Sequence, residues 1–169
     1  MMKRVLTSLL AIAAAACTAH AVVVRPAPSF GWLDAEGKPQ ALQSLFGSKG
    51  QPVVVLIAPS PRDWTFRSQV GQLQKAYQRF ASAKLVCFAA FTQEGGTIKS
   101  NIPFVTVPDG PRVAFLYDQP KKFVIAIIGP DGNIDYLSTK VVAAQRILDI
   151  MDANYQRQSD FRKDQELKP

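Results

Sequence analysis

Val53-Val54-Val55-Leu56-Ile57-Ala58 restricts the fold more than any other stretch of the chain. The run is apolar throughout and rich in β-branched residues. A strand with one wet face alternates apolar and polar side chains, and this one does not. The run is too short for a buried helix and ends at Pro59 and Pro61. It is therefore predicted as a central strand covered on both faces, of the kind found in parallel sheets.

The residues after this run fit a central strand. Pro59-Ser60-Pro61-Arg62-Asp63-Trp64 is a turn, and residues 65–80 are amphipathic. Phe66, Val70, Leu73, Tyr77 and Phe80 recur at steps of four and three, which predicts one continuous helical stripe. Gly71 weakens this helix without outweighing the stripe. Residues 84–91 form a second apolar run, predicted as a buried strand. Strand, helix and strand in this order make a right-handed βαβ unit.

The flanking segments read more simply. Residues 22–28 are an extended lead-in, held out of helix by Pro26 and Pro28. Residues 30–38 predict a small hairpin that turns between Asp34 and Gly37, and residues 41–46 a short helix or turn stopped by Gly47. After a loop at 93–101 come a short strand within 102–107 and a short helix that starts at Asp109-Gly110-Pro111 and ends at Tyr117. Residues 123–128 predict a third buried strand, and 134–137 return antiparallel across the turn Gly129-Pro130-Asp131-Gly132-Asn133. Ser138 or Thr139 is the expected cap of a last helix, with Val141, Ala144, Leu148, Met151 and Tyr155 on one face. Residues 158–169 are read as a polar tail beyond a single domain at 22–157.

The amino terminus sets the compartment. Met1-Met2-Lys3-Arg4 is basic, residues 5–16 are apolar, and Ala19-His20-Ala21 fits a small-x-small cleavage site. This predicts a secretory signal over residues 1–21, and hence a periplasmic or secreted product with no membrane span. A lipoprotein signal ending at Cys17 is the rival reading, although the large aliphatic residue expected three places before that cysteine is missing. Cleavage lowers the net charge from +7 to +5, with 18 basic against 13 acidic residues. The basic residues are scattered and carry no interleaved aromatic stripe, so no nucleic-acid partner is expected.

Cleavage also removes one of the two cysteines and the only histidine, His20. Cys87 remains, inside the apolar run Leu85-Val86-Cys87-Phe88-Ala89-Ala90-Phe91, where an inert core thiol is expected. Histidine-dependent triads and most zinc sites are excluded from the processed chain, and no metal or cofactor is predicted. Asp109, Asp118, Asp131 and Asp135 do not follow a metal-ligand spacing.

Motifs on both sides of the central run carry a family resemblance. Pro26-x-Pro28-x-Phe30, Leu33-Asp34-x-x-Gly37-Lys38, Leu42-x-x-Leu45 and Gly50-Gln51-Pro52-Val53-Val54 precede or open it, and Gly129-Pro130-Asp131-Gly132-Asn133-Ile134 closes the late hairpin. Together they resemble secreted thioredoxin-like and peroxiredoxin-like (redoxin) domains over residues 26–155. The resemblance implies an α/β three-layer sandwich, with a mixed sheet of about four core strands flanked by helices and an N-terminal hairpin extension. It also implies that the turn after the central strand is where reactive cysteines would stand. In one register the Cys-x-x-Cys motif falls on Asp63-Trp64-Thr65-Phe66. In the other, Pro61 to Ser68 resembles Pro-x-x-x-Thr-x-x-Cys, with Ser68 in place of the peroxidatic cysteine. Both registers lack the thiol. The family's active-site proline should fall near Phe123, and the nearest proline, Pro120, is displaced from it. Residues 123–132, the Gln/Arg-rich stretch Gln156-Arg157-Gln158, and Ala58-Pro59-Ser60-Pro61 followed by Arg67-x-Gln69 resemble a narrower family. Its members are small secreted bacterial thioredoxin-like domains that mostly lack catalytic cysteines, with relatives in vertebrate matrix proteins that carry sushi repeats.

The expected function is therefore recognition without redox chemistry. Its candidate surface is the turn and first helical residues: Pro59, Ser60, Pro61, Arg62, Asp63, Trp64, Arg67 and Ser68. The Gly95-Gly96 loop is a further candidate, and the partner is an unidentified protein or small ligand. Against this, Asp63 is expected simply to cap the helix, Arg62 to be solvated, and Trp64 to pack over the strand end. The alternatives are an atypical one-cysteine thiol oxidoreductase or peroxidase that uses Cys87, which requires an accessible thiol, and a lipid-anchored module held through Cys17.

Overall fold

A computed structural model describes residues 25–118 and 123–166, with the side chains of 161–166 left aside. The expectations that fall on the leader, Cys17, His20 and Pro120 lie outside the described residues. In chain order the elements are β1 (Arg25–Pro26), β2 (Gly31–Leu33), β3 (Pro39–Ala41), a 3-10 turn (Leu42–Leu45), β4 (Val53–Ala58), α1 (Trp64–Lys75), α2 (Tyr77–Ser82) and β5 (Val86–Phe91). Beyond them lie β6 (Phe104–Thr106), α3 (Gly110–Leu116), β7 (Val124–Ile128), β8 (Asn133–Ser138) and α4 (Ala144–Glu166).

The sheet is mixed and six-stranded, in the order β1-β8-β7-β4-β5-β6, and β2–β3 is a separate hairpin. β4 runs parallel to β5 and antiparallel to β7, with Val53 opposite both Val86 and Ile128. All six β4 residues are fully buried. Val54, Leu56 and Ala58 face one layer, with Phe66, Val70 and Leu73 of α1, Phe80 of α2, and Ile147, Leu148 and Met151 of α4. Val53, Val55 and Ile57 face the other, with Phe30, Leu42, and Val113, Ala114 and Tyr117. The expected three-layer α/β sandwich with its N-terminal hairpin is what the chain forms. The sheet has six strands where about four were expected, because two short edge strands join it. Arg25–Pro26 pairs with Asn133–Ile134, so the lead-in is an edge strand, where a proline without an N–H is tolerated.

The expected single helix over 65–80 breaks at Ala76, whose φ of −119° and ψ of 24° are not helical. Ala76 N–H donates to the Leu73 carbonyl at 3.2 Å, a tightened last turn. The break turns Tyr77 out of the stripe to 37% exposure while Phe80 stays buried. Gly71, the anticipated weak point, lies within α1 undisturbed.

β5 begins at Val86 and not at 84, because α2 ends in a Schellman turn. Lys84 N–H donates to the Ala81 carbonyl and Leu85 N–H to the Phe80 carbonyl, both at 3.0 Å. Lys84 has φ of 55°, the left-handed position at which glycine is preferred.

The start of α4 also departs from expectation. Ser138 Oγ accepts from Lys140 N–H at 3.0 Å and donates to its carbonyl at 3.1 Å, so it closes a turn and does not cap the helix. The approach to α4 is instead held by α1. Fully buried Gln69 accepts from Val142 N–H through Oε1 at 2.7 Å and donates from Nε2 to the Val142 carbonyl at 3.0 Å. The buried face of α4 is Ile147, Leu148, Ile150, Met151 and Asn154; Val141 precedes the helix and Tyr155 is exposed. The expected tail continues α4 as far as Glu166. Part of the reason is Asp135 on β8, whose side chain is 3% exposed. Its carboxylate accepts from Asn154 Nδ2 and Arg157 Nη2, each at 2.7 Å, and Gln158 Nε2 donates to Asn154 Oδ1 at 2.7 Å.

Burial raises the Asp135 carboxyl above its ordinary value, against the opposing hydrogen bond from Asn154 and the charge of Arg157. A raised native pKa means that the folded state binds this proton more tightly. Its contribution to stability is present below the ordinary carboxylate value and is lost as pH rises through the native one. The unfolding free energy of the wild type, relative to Asp135→Asn, is therefore expected to be larger at pH 3 than at pH 7 by urea titration. Lys84→Gly is expected to raise stability by about 0.5–1 kcal/mol, since it removes the left-handed strain at a modest entropic cost. Thermal and denaturant unfolding measure this change.

Candidate functional site

Because β4 and β5 are parallel and adjacent, their carboxyl ends open on the same edge of the sheet. That edge, beyond the strand ends, is where open α/β sheets place ligands. The chain leaves β4 into the turn before α1 and leaves β5 into the loop at 92–101. Backbone bonds tie the two exits together. Thr92 N–H donates to the Ala58 carbonyl at 2.9 Å, and Gln93 and Glu94 N–H both donate to the Pro59 carbonyl, at 3.0 and 3.1 Å.

The turn is organised by its short polar side chains. Asp63 caps α1 as expected, with Oδ1 accepting from Phe66 N–H at 2.9 Å. Ser60 Oγ accepts from Arg62 N–H at 3.3 Å, and the Ser60 carbonyl accepts from Asp63 N–H at 3.2 Å. Arg62 is exposed, as expected for a solvated side chain. Trp64 does not shield the strand end: it opens α1 and is 70% exposed. Asp63 stands at the N-cap, where exposed N–H groups and the helix dipole would depress the pKa of a thiol. Ser68 lies a turn further along α1 and is half-buried.

A groove of about 500 Å³ lies between this segment and the loop after β5. Pro61 and Arg62 line it from the turn, and Phe66, Arg67, Val70 and Gln74 from α1. The opposite wall is the chain from Glu94 to Lys99. Of the sequence-predicted residues, Pro61, Arg62 and Arg67 line the groove, together with Gly95 and Gly96. Pro59, Ser60 and Asp63 shape the turn without lining the groove, and Trp64 and Ser68 stand outside it. The predicted turn and the predicted loop are thus two sides of one cleft. Gln74, Ile98 and Lys99 were not anticipated, and Phe66 and Val70 were assigned only to the core. The row Phe66, Val70, Gln74, at successive steps of four, was the available signal for a helix face that extends past the core. The groove's charged side chains are Arg62, Arg67 and Lys99 against Glu94.

The lining holds no cysteine or histidine, so nucleophilic thiol chemistry has no group there. Cys87 lies on β5 within the helix-side core, 2% exposed. Burial pushes its thiol up to about 12, away from the thiolate that exchange and peroxide reduction require. Among the described residues no cluster of three or more His, Cys, Asp or Glu side chains is placed to hold a metal ion, and no helix is long and apolar enough to cross a membrane.

No family model and no curated protein matches the sequence. Solved structures do match the fold. A reduced 2-Cys peroxiredoxin from Plasmodium vivax aligns with a TM-score of 0.60 at 19% identity, over 82% of this chain and 99% of that one. The thioredoxin domain of a thiol-disulfide oxidoreductase from Bacteroides vulgatus aligns with a TM-score of 0.52 at 17% identity, over 74% and 91%. A putative thiol:disulfide interchange protein DsbE from Chlorobium tepidum gives 0.56 at 12% identity, over 75% and 96%. The likeness takes in nearly the full length of each of these structures, and it establishes that this chain has the thioredoxin-like fold.

Proposed function

We propose that the protein is a redox-inactive thioredoxin-like binding module that works outside the cytoplasm and holds a partner in the groove between α1 and the 94–99 loop. One observation carries this reading. The N-cap position where a reactive thiol would be activated holds Asp63, and the remaining thiol, Cys87, is sealed in the core. Burial holds the Cys87 thiol protonated at neutral pH. The groove supports the binding half of the reading. It combines an apolar floor with convergent polar groups at the open end of a parallel strand pair, the usual composition of a ligand cleft. The basic and apolar leader with its Ala19-His20-Ala21 site supports the extracytoplasmic half.

Cys87 in the native, processed protein is expected to resist an aromatic disulfide reagent and to react with one equivalent after denaturation. Insulin reduction and peroxide consumption are expected to be the same for the wild type and Cys87→Ser. A rate that Cys87→Ser abolishes would overturn the redox-inactive reading. Intact mass of the exported protein is expected to match a chain that begins at Val22; a diacylated or triacylated product that begins at Cys17 would show a lipid anchor instead.

A further inference from the structure

The groove's shape and charge specify its occupant more closely. From Phe66 to Gln74 the α1 wall advances by about 12 Å, eight residues at 1.5 Å each. That length matches about four residues of extended chain. The facing wall is irregular backbone. Among the described residues, no backbone hydrogen bond ties residues 95–99 to the rest of the chain. The N–H and C=O groups of this segment are therefore without backbone partners in the described chain. Phe66 and Val70, almost wholly buried, close the floor, Ile98 adds half-buried apolar surface, and three cations, Arg62, Arg67 and Lys99, line the groove with a single carboxylate, Glu94. A guanidinium favours a planar carboxylate, which it can bind through two parallel hydrogen bonds.

We infer that the groove takes an acidic peptide segment in extended conformation, with one apolar side chain on the floor and flanking carboxylates at Arg62, Arg67 and Lys99. The peptide backbone pairs with residues 95–99, so that main-chain bonds supply much of the affinity and the cations supply the choice of partner. This rests on the proposed groove-binding function and names the chemistry of its partner. An excess of two positive charges at the groove favours an acidic strand over a basic one, and the preference weakens as salt screens the exposed arginines.

The test uses the processed protein and three acetylated, amidated octapeptides of alternating sequence, Glu-Leu, Gln-Leu and Lys-Leu, with octanoate as an amphipathic anion that lacks a peptide backbone. Binding is followed by amide chemical shifts and by Trp64 fluorescence. The Glu-Leu peptide is expected to bind at least tenfold more tightly than the Lys-Leu peptide at 50 mM salt and to shift the amides of Gly95 to Lys99. Its affinity is expected to fall at least threefold at 300 mM salt. The double variant Arg62→Glu/Arg67→Glu changes two exposed side chains, so it should keep the wild-type melting profile and lose at least tenfold in affinity for the Glu-Leu peptide. Equal binding of the Gln-Leu peptide would overturn the acidic specificity, and octanoate binding as tightly at the same amides would overturn the extended-backbone mode; either result leaves a groove that binds ligands. No shift at residues 94–99 with any probe would overturn the inference together with the use of this groove. A Cys87-dependent reaction would instead remove the redox-inactive reading and leave the peptide results standing.

Discussion

β4 is hydrogen-bonded on both edges and covered on both faces, and the rest of the molecule is arranged around that constraint. A strand without a wet face needs two apolar layers, so the chain must supply helices for one and the hairpin with α3 for the other. Alternate β4 side chains then belong to different cores, and a one-residue slip would exchange them. The same strand fixes where recognition can occur. A parallel neighbour on one side places the exits of β4 and β5 together, and the backbone bonds from 92–94 to Ala58 and Pro59 hold those exits at a constant separation. The groove is the space left between two segments that leave the sheet in the same direction.

The α1 wall of that groove is held from behind by an amide. Gln69 makes paired hydrogen bonds to both backbone groups of Val142, as a neighbouring strand would. A buried amide left without partners would cost about 1–3 kcal/mol, so the contact specifies one position of the segment before α4 against α1. Phe66 and Val70, which flank Gln69 on the inner side of α1, contribute both to the core and to the groove floor. Core packing and site geometry are therefore one problem on this helix. The outward residues Arg62, Trp64 and Arg67 are free of that requirement.

The parts legible in the sequence were those set by local pattern. The apolar run 53–58, the cap at Asp63, the Pro111 start of α3 and the turn before Asn133 each depend on residues close together in the chain. The misreadings came from distant partners. Nothing near Arg25–Pro26 announces a strand, because the pairing is with Asn133–Ile134. Ser138 had the right chemistry for a helix cap but was engaged by Lys140, while Gln72 Oε1, at 3.5 Å from Ala144 N–H, and Gln69 met the approach to α4. The stripe through Tyr77 satisfied the helical period and was interrupted at Ala76, where no glycine or proline gives warning. At the site, the turn was visible from its place after the central strand, but the roles of Ile98 and Lys99 were not. They lie in a segment without periodicity and become a wall only when β5 is set beside β4.

The burial of Cys87 has a consequence for how this chain lives in the cell. In the native sheet Cys87 is 2% exposed, so a disulfide that exchanges with it must wait for the sheet to open. While the chain is unfolded the Cys87 thiolate can attack whatever disulfides it meets, releasing one thiol and keeping the other as a mixed disulfide, and a chain trapped that way cannot seat β5 between β4 and β6 without displacing packed residues. Folding thus withdraws the thiol from exchange, because the native sheet buries Cys87.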